Sequence, residues 1–238
     1  MARKAYSPPG VLPQRSPSPG LGIDVSEVGA VQLREAEAAA GQPQVWENVD
    51  GKRIEDGRYA AFRKAMKEEV GIPDERVFID PVKTFAYGTD ASFYRLNPKV
   101  VIKVHNEDEV RAALPLAWKL QVPVTFRAAG TSLSGQALTD SVLLKLSHTG
   151  RNWRDYEVHG DGEAITVQPG LIGGEVNKIL AKFYKDNELP TQYKIGPDPA
   201  SIDSCMIGGI VSNNSSGMCC GVADNSYHTV QDMRLLLR

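Results

Sequence analysis

A glycine-bracketed loop directly behind a strand-like run constrains this chain more than any other feature. In "PVTFRAAGTSLSGQALTDSVLLKL", residues 123–146, Gly130 and Gly135 enclose Thr131, Ser132, Leu133 and Ser134, just after an apolar run that ends at Phe126. Such a loop lets backbone N–H groups approach phosphate oxygens without side-chain obstruction. The spacing G-x-x-x-x-G invites comparison with the nucleoside-triphosphatase loop, which needs Lys and then Ser or Thr after its second glycine. Here Gln136 and Ala137 follow, so the charge that steadies a γ-phosphate is missing. The dinucleotide pattern G-x-G-x-x-G is not matched either. What remains is a loop suited to a less charged pyrophosphate, with Thr131, Ser132, Ser134 and Gln136 as added donors, or else a plain turn between two strands.

The flanking segments place this loop in an alternating α/β pattern. Tyr59, Phe62, Met66 and Val70 share one helical face, which Gly71 ends. The stretch "DPVKTFAYGTDASFYRLNP" reads as a loop. "KVVIKV" (99–104) is a β-branched strand, and Asn106 caps the helix after it, with Glu109 as the capping-box partner. That helix shows an apolar stripe of Val110, Ala113, Leu114, Ala117 and Trp118, and Pro115 within it should produce a kink. "VPVTFR" (122–127) and "VLLKL" (142–146) are further strands. "GRNWRDYE" (150–157) reads as an edge or hairpin surface, and "AITVQPG" (164–170) as a strand with a turn. A helix over 171–184 carries Ile172, Val176, Ile179, Leu180 and Phe183 on one side. Residues 194–230 are rich in Gly, Ser and Asn, too polar and flexible to be core by themselves, and "DMRLLLR" closes the chain as a strand-like run. Two permissive backbone segments joined by regular structure suit an elongated ligand touched at two points, such as a dinucleotide.

Charge and composition narrow the partners. A formal net charge of −2 offers no basic surface to nucleic acid. No apolar run approaches the roughly 20 residues that span a bilayer. An odd cysteine count, with Cys219 and Cys220 adjacent, is a poor disulfide framework. Residues 1–55 read as a disordered tail with at most a short helix around "SEVGAVQLREAEAAA". The first 23 residues hold five prolines and no acid. That start fits either a mitochondrial transit peptide or a plain tail, the latter leaving the protein cytoplasmic or peripheral to a membrane.

"FRAAGTSLSGQA", "IGPDPAS" and "IGGIVSNNSSGMCCG", in this order, resemble the FAD-binding domain of vanillyl-alcohol-oxidase-type (PCMH-type) flavoproteins. More narrowly they resemble the FAD-linked D-lactate or D-2-hydroxyacid dehydrogenases. "AYGTDASFYRLNPKVVIKV" (86–104) matches the start of that domain. The resemblance implies an α+β fold of two α/β subdomains with FAD extended between them, over 96–238, behind a helical lead-in at 56–95. It further implies an N-terminal fragment of a long FAD plus iron–sulfur member, cut before the substrate cap domain. Carried across by position, the loop 127–136 would wrap the FAD pyrophosphate, with Arg127, Ala129, Gly130, Thr131, Ser132, Gly135 and Gln136 as its contacts. Pro197, Asp198 and Ser201 would lie along the flavin–ribityl side. Gly208 and Gly209 would let the backbone pass close to the isoalloxazine ring, and Ser212, Asn214, Ser215 and Gly217 would hydrogen-bond the flavin and adenosine. No histidine stands in 127–136, so the FAD should be noncovalent.

The activity so implied is oxidation of a D-2-hydroxy acid, D-lactate first. A base takes the C2 hydroxyl proton while hydride passes to flavin N5, and electrons then leave to a cytochrome, quinone or iron–sulfur module. Two rival readings are a non-catalytic FAD-binding module and an ordinary nucleotide-binding protein. Iron–sulfur ligands, if the protein uses clusters, should lie beyond residue 238. Cys205, Cys219 and Cys220 read as small packing residues, and His228 as a solvated loop residue. "YGTDAS" (87–92) is placed under the cofactor loop, with structural salt bridges for Asp90 and Arg95.

Overall fold

The computed structural model describes residues 57–147, 149, 152–217 and 219–236; the readings made for residues 1–55 lie outside them. The chain begins with helix α1 (Gly57–Glu68), a short 3-10 turn (Asp74–Arg76) and strand β1 (Val77–Phe78). Helix α2 (Pro81–Tyr87), β2 (Val100–Val104), α3 (Glu107–Lys119), β3 (Val124–Arg127) and β4 (Val142–Leu146) follow. The second half contributes β5 (Tyr156–His159), β6 (Ala164–Val167), α4 (Gly173–Asp186), α5 (Ile207–Ser212) and α6 (Ser226–Thr229).

Four strands make the first sheet in the order β1-β2-β4-β3. β4 runs parallel to both β2 and β3, while β1 is antiparallel to β2. All five residues of β4 are buried, as a central parallel strand covered on both faces requires. Alternate residues Val100, Ile102, Val104, Val142, Leu144 and Leu146 face α1 and α3, which contribute Tyr59, Phe62, Met66, Val110, Ala113 and Ala117. The helical stripe is narrower than its sequence implies: Trp118 is 57% exposed. α3 runs through Pro115, whose ring is at the surface. Asn106 caps α3 by accepting from the Glu109 N–H at 3.0 Å. The Glu109 carboxylate instead reaches back to the His105 N–H at 2.7 Å and accepts both ends of the Arg76 guanidinium at 3.0 Å.

A second core forms where α4 lies on the antiparallel β5–β6 hairpin, bringing Leu171, Val176, Leu180 and Tyr184 against Val158, Ile165 and Val167. The hairpin expected at 150–157 is thus present from Tyr156. The Tyr184 hydroxyl donates to the Gly162 carbonyl at 2.7 Å. Two separate cores match the two expected subdomains. Trp153 reaches the first core, its indole N–H donating to the Val104 carbonyl at 2.9 Å.

Two sequence expectations are overturned. The expected loop over 80–98 begins with helix α2, whose N-cap Asp80 accepts from the Val82 and Lys83 N–H groups, with Pro81 at the first helical position. Asp-Pro is a helix-start signal in its own right. The terminal run "DMRLLLR" is not a strand over residues 232–236, because its side chains dock singly. Leu236 packs on the first core, Arg234 pairs with Glu107 on α3, and Met233 and Leu235 stay exposed.

Candidate cofactor site

β3 delivers the chain into the glycine loop, and Arg127 fixes the loop's base. Its guanidinium donates to the Thr89 and Tyr87 carbonyls at 2.6 and 3.2 Å. Burial pulls its pKa down, while Asp90 and then Tyr87 oppose that shift. Gly130 rests on this guanidinium: its φ is +80°, and a Cβ there would stand 2.5 Å from Arg127 Nη2. Gly135 has φ +76°, and a Cβ would stand 3.0 Å from the Tyr94 ring. Both glycines are therefore required by backbone conformation and by a close side chain, Arg127 at Gly130 and Tyr94 at Gly135. The Ala91 N–H donates to the Gly130 carbonyl at 3.2 Å, so "YGTDAS" does pack against the loop.

Of the loop's polar side chains Ser132 is turned inward, while Ser134 and Gln136 are exposed. The buried Ser132 hydroxyl donates to Gln136 Oε1 and accepts from the Ser134 N–H at 3.1 Å. Its main chain is not spent in this way. Among the described residues, the amides of residues 129–133 donate no hydrogen bond, leaving a run of N–H groups free for an anion.

The second stretch meets the first at Gly209. A Cβ on Gly209 would meet only the Ala128 Cβ, at 3.8 Å, so the α5 backbone borders the loop with open space above it. Gly208 has a different reason. It packs on Pro169, where an added Cβ would be 2.9 Å away, and its N–H donates to the Pro169 carbonyl at 2.9 Å. Ser212 donates to the Gly208 carbonyl at 2.6 Å. Asn214, at φ +45°, accepts from the Tyr227 N–H at 3.0 Å. The Ser215 carbonyl accepts from Ser226, and the Ser201 carbonyl accepts from the Ser204 and Cys205 N–H groups.

Asp198 ties the remaining pieces together beside the buried Pro197. Its carboxylate accepts from the Cys220 N–H at 3.2 Å, which holds its pKa below the ordinary carboxylate value. Gly217 packs so closely on Asp198 that no side chain fits there.

Two side-chain readings need correction. Asp90 and Arg95 form no salt bridge. Arg95 lies 3.9 Å from the Phe85 ring centroid, whereas Asp90 Oδ1 accepts from the Ser92 N–H at 2.8 Å and Asp90 Oδ2 is buried without a partner. Cys219 is exposed, so only Cys205 and Cys220 serve as packing residues. His228 is exposed as expected, but on the short helix α6 rather than in a loop.

Lys145 escaped the sequence reading, which took 142–146 simply as a strand. The residue is only 9% exposed, and its ammonium donates to the Ala128 carbonyl at 2.6 Å and the Leu146 carbonyl at 2.9 Å. A lysine inside a five-residue buried run was the available signal, since lysine is rarely buried without a reason.

Free amides at one end, buried cations beneath them and an open glycine backbone at the other end define a dinucleotide-cofactor domain. The model of the FAD-binding domain family matches residues 98–238, and the chain belongs to that family. Its cofactor is FAD, and the observed cradle fits it. The glycolate oxidase subunit GlcD of Escherichia coli is 30% identical over 177 residues, covering 73% of this chain and 33% of that protein. A D-2-hydroxyglutarate dehydrogenase of Pseudomonas putida is 25% identical over 153 residues, covering 63% of this chain and 14% of that protein. A solved alkyldihydroxyacetonephosphate synthase superposes with a TM-score of 0.56 at 20% identity, over 72% of this chain and 32% of that one, which shows the fold. The chain thus spans about a third or less of the proteins it matches. The vanillyl-alcohol-oxidase-type fold inferred from sequence is borne out.

Proposed function

We propose that this chain is the FAD-binding part of an oxidoreductase that oxidises a D-2-hydroxy acid at C2, with D-lactate the first candidate. The observation that carries the reading is the meeting of the glycine loop and α5 at Ala128 and Gly209, with the amides of 129–133 free beside it. Relatives named for glycolate oxidase and D-2-hydroxyglutarate dehydrogenase support the substrate class, because both names denote 2-hydroxy acids.

In this reading the amides around Ala129, Gly130, Thr131 and Ser132 hold the diphosphate. Arg127 and Gly135 keep the loop in shape, and Gln136 offers its amide nitrogen. Gly209 gives the ring its close approach, supported by Gly208 on Pro169. Pro197, Asp198, Ser201, Ser212, Asn214, Ser215 and Gly217 shape the ribityl and flavin wall, mostly through backbone they hold in place. FAD, held without a covalent bond, supplies the acceptor for the hydride that leaves C2. A cytochrome, quinone or iron–sulfur module would be the class of acceptor that takes the electrons from it.

The test is spectroscopic. The purified chain should carry flavin absorbance near about 450 nm that acid precipitation releases into solution and that a 2-hydroxy acid bleaches without oxygen. A panel of D-lactate, glycolate and D-2-hydroxyglutarate ranks the substrates. Absence of flavin defeats the reading. Flavin that no hydroxy acid bleaches leaves a cofactor-binding module and removes the enzymatic part for this chain.

A further inference from the structure

Lys145 is a buried cation whose charge no described residue neutralises. It is in register with Lys103 on β2 and with Arg127 on β3, so three cations stand in a row across the ends of three parallel strands. Like charges so placed repel, and burial in low dielectric makes the Lys145 charge costly. The row is met by neutral partners. Lys103 lies 5.0 Å from the Phe78 ring centroid, Arg127 donates to two carbonyls, and Lys145 donates to the Ala128 and Leu146 carbonyls. Among the described residues no carboxylate is in ion-pair contact with any of the three. Asp90, on the 87–94 segment, acts on Arg127, but its Oδ2 and the Arg127 Nε are both buried without a hydrogen-bond partner. α5, which borders the loop from the other side, brings no titratable side chain.

The free amides begin one residue after the carbonyl that Lys145 grips. We propose that Lys145 is the buried counter-charge of the diphosphate site, a positioning residue that anchors the loop's entry and couples FAD binding to proton uptake at its own ammonium. This rests on the FAD reading above and names a residue that the reading does not need. Burial, with Arg127 and Lys103 beside it, pulls the Lys145 pKa down to about 8. Near pH 8 about half of the cofactor-free molecules therefore carry Lys145 neutral. The two negative charges of a diphosphate set above it favour the charged form, so binding draws a proton from solution.

The experiment uses the full chain stripped of FAD and then titrated with FAD by calorimetry at pH 8, in two non-phosphate buffers of different ionisation enthalpy. Wild type should take up about half a proton per FAD. Lys145→Met should take up close to none and bind FAD about tenfold or more weakly at pH 7. Lys145→Arg, which keeps its charge at every pH used, should bind FAD within about threefold of wild type yet take up close to no proton. Unchanged proton uptake in either variant overturns the proposal, and if the Met variant does not fold the Arg variant decides alone. A wild-type chain that fails to bind FAD overturns the reading beneath it. A wild-type chain that binds FAD without Lys145-dependent uptake leaves that reading standing and removes only this inference.

Discussion

Gly209→Ala separates what the chain needs for itself from what it needs for its cofactor. In the cofactor-free chain the new methyl would meet only the Ala128 Cβ, at 3.8 Å, an ordinary contact. Gly209 lies inside α5, where alanine is favoured over glycine by up to about 1 kcal/mol. The apo variant should therefore match or exceed wild-type stability by as much as about 1 kcal/mol, a rise of roughly 2–4 °C in Tm for a chain of this size. FAD should suffer. A flat ring passing over the Gly209 backbone at van der Waals distance, about 3.5–4 Å between carbons, would have to lift off the methyl and lose contacts across its face. A Kd about tenfold weaker, or about 1.4 kcal/mol, is the expected loss. Thermal melts of the apo protein and flavin fluorescence titrations on the same preparations read both halves. Unchanged FAD affinity with the variant folded would refute the placement of the ring. A clear fall in apo stability would refute the open space above Gly209.

Three further outcomes follow from the same geometry. Gly130→Ala forces a side chain onto φ +80° and into the Arg127 guanidinium, costing about 1–3 kcal/mol and loosening the loop, so FAD content on purification should drop; full retention would contradict the loop assignment. Arg76→Met leaves Glu109 almost buried without its bidentate partner, and urea unfolding should show a loss of about 3 kcal/mol. The third concerns pH. The Lys145 native pKa of about 8 lies below its unfolded value of 10.5, so the unfolded chain holds more protons between those limits and apo stability must rise with pH across them. Between pH 7 and 9.5 the gain is about 2 kcal/mol by linkage, measured as the wild-type change minus the Lys145→Met change. A difference near zero would contradict the burial of a charged lysine.

Much of the fold was legible because its signals are local. β-branched runs of strand length marked β2, β3 and β4, and Asn106 marked the start of α3. The helix α2 was also legible in Asp80-Pro81, but its exposed residues Val82 and Phe85 give no apolar stripe against the neighbouring turn chemistry. Trp118 sat on the predicted stripe and ended exposed, because Val110, Ala113 and Ala117 set the face toward the sheet and Trp118 lies about 100° round the helix from Ala117. The site divided along a similar line. Glycines forced by φ or by contact, such as Gly130 and Gly135, announced themselves through spacing. The reasons for Gly208 and Gly217 could not be seen, since Pro169 and Asp198 approach them only through the tertiary fold. Polar side chains were harder still. Ser132, Ser212 and Asn214 look like ligand donors in sequence, yet Ser132 and Ser212 hydrogen-bond their own loop or helix and Asn214 accepts from Tyr227 on α6. Lys145 was hidden by its company, four apolar residues whose burial it shares.

Hydrogen exchange at the two backbone stretches tests the central claim most directly. In the stripped chain the amides of 129–133, which lack partners among the described residues, should exchange fast. Adding FAD should slow exchange in peptides covering 128–137 and 207–217 together, and leave the β5–β6 hairpin unchanged. Tight FAD binding with protection elsewhere, and none at the loop, would contradict the account.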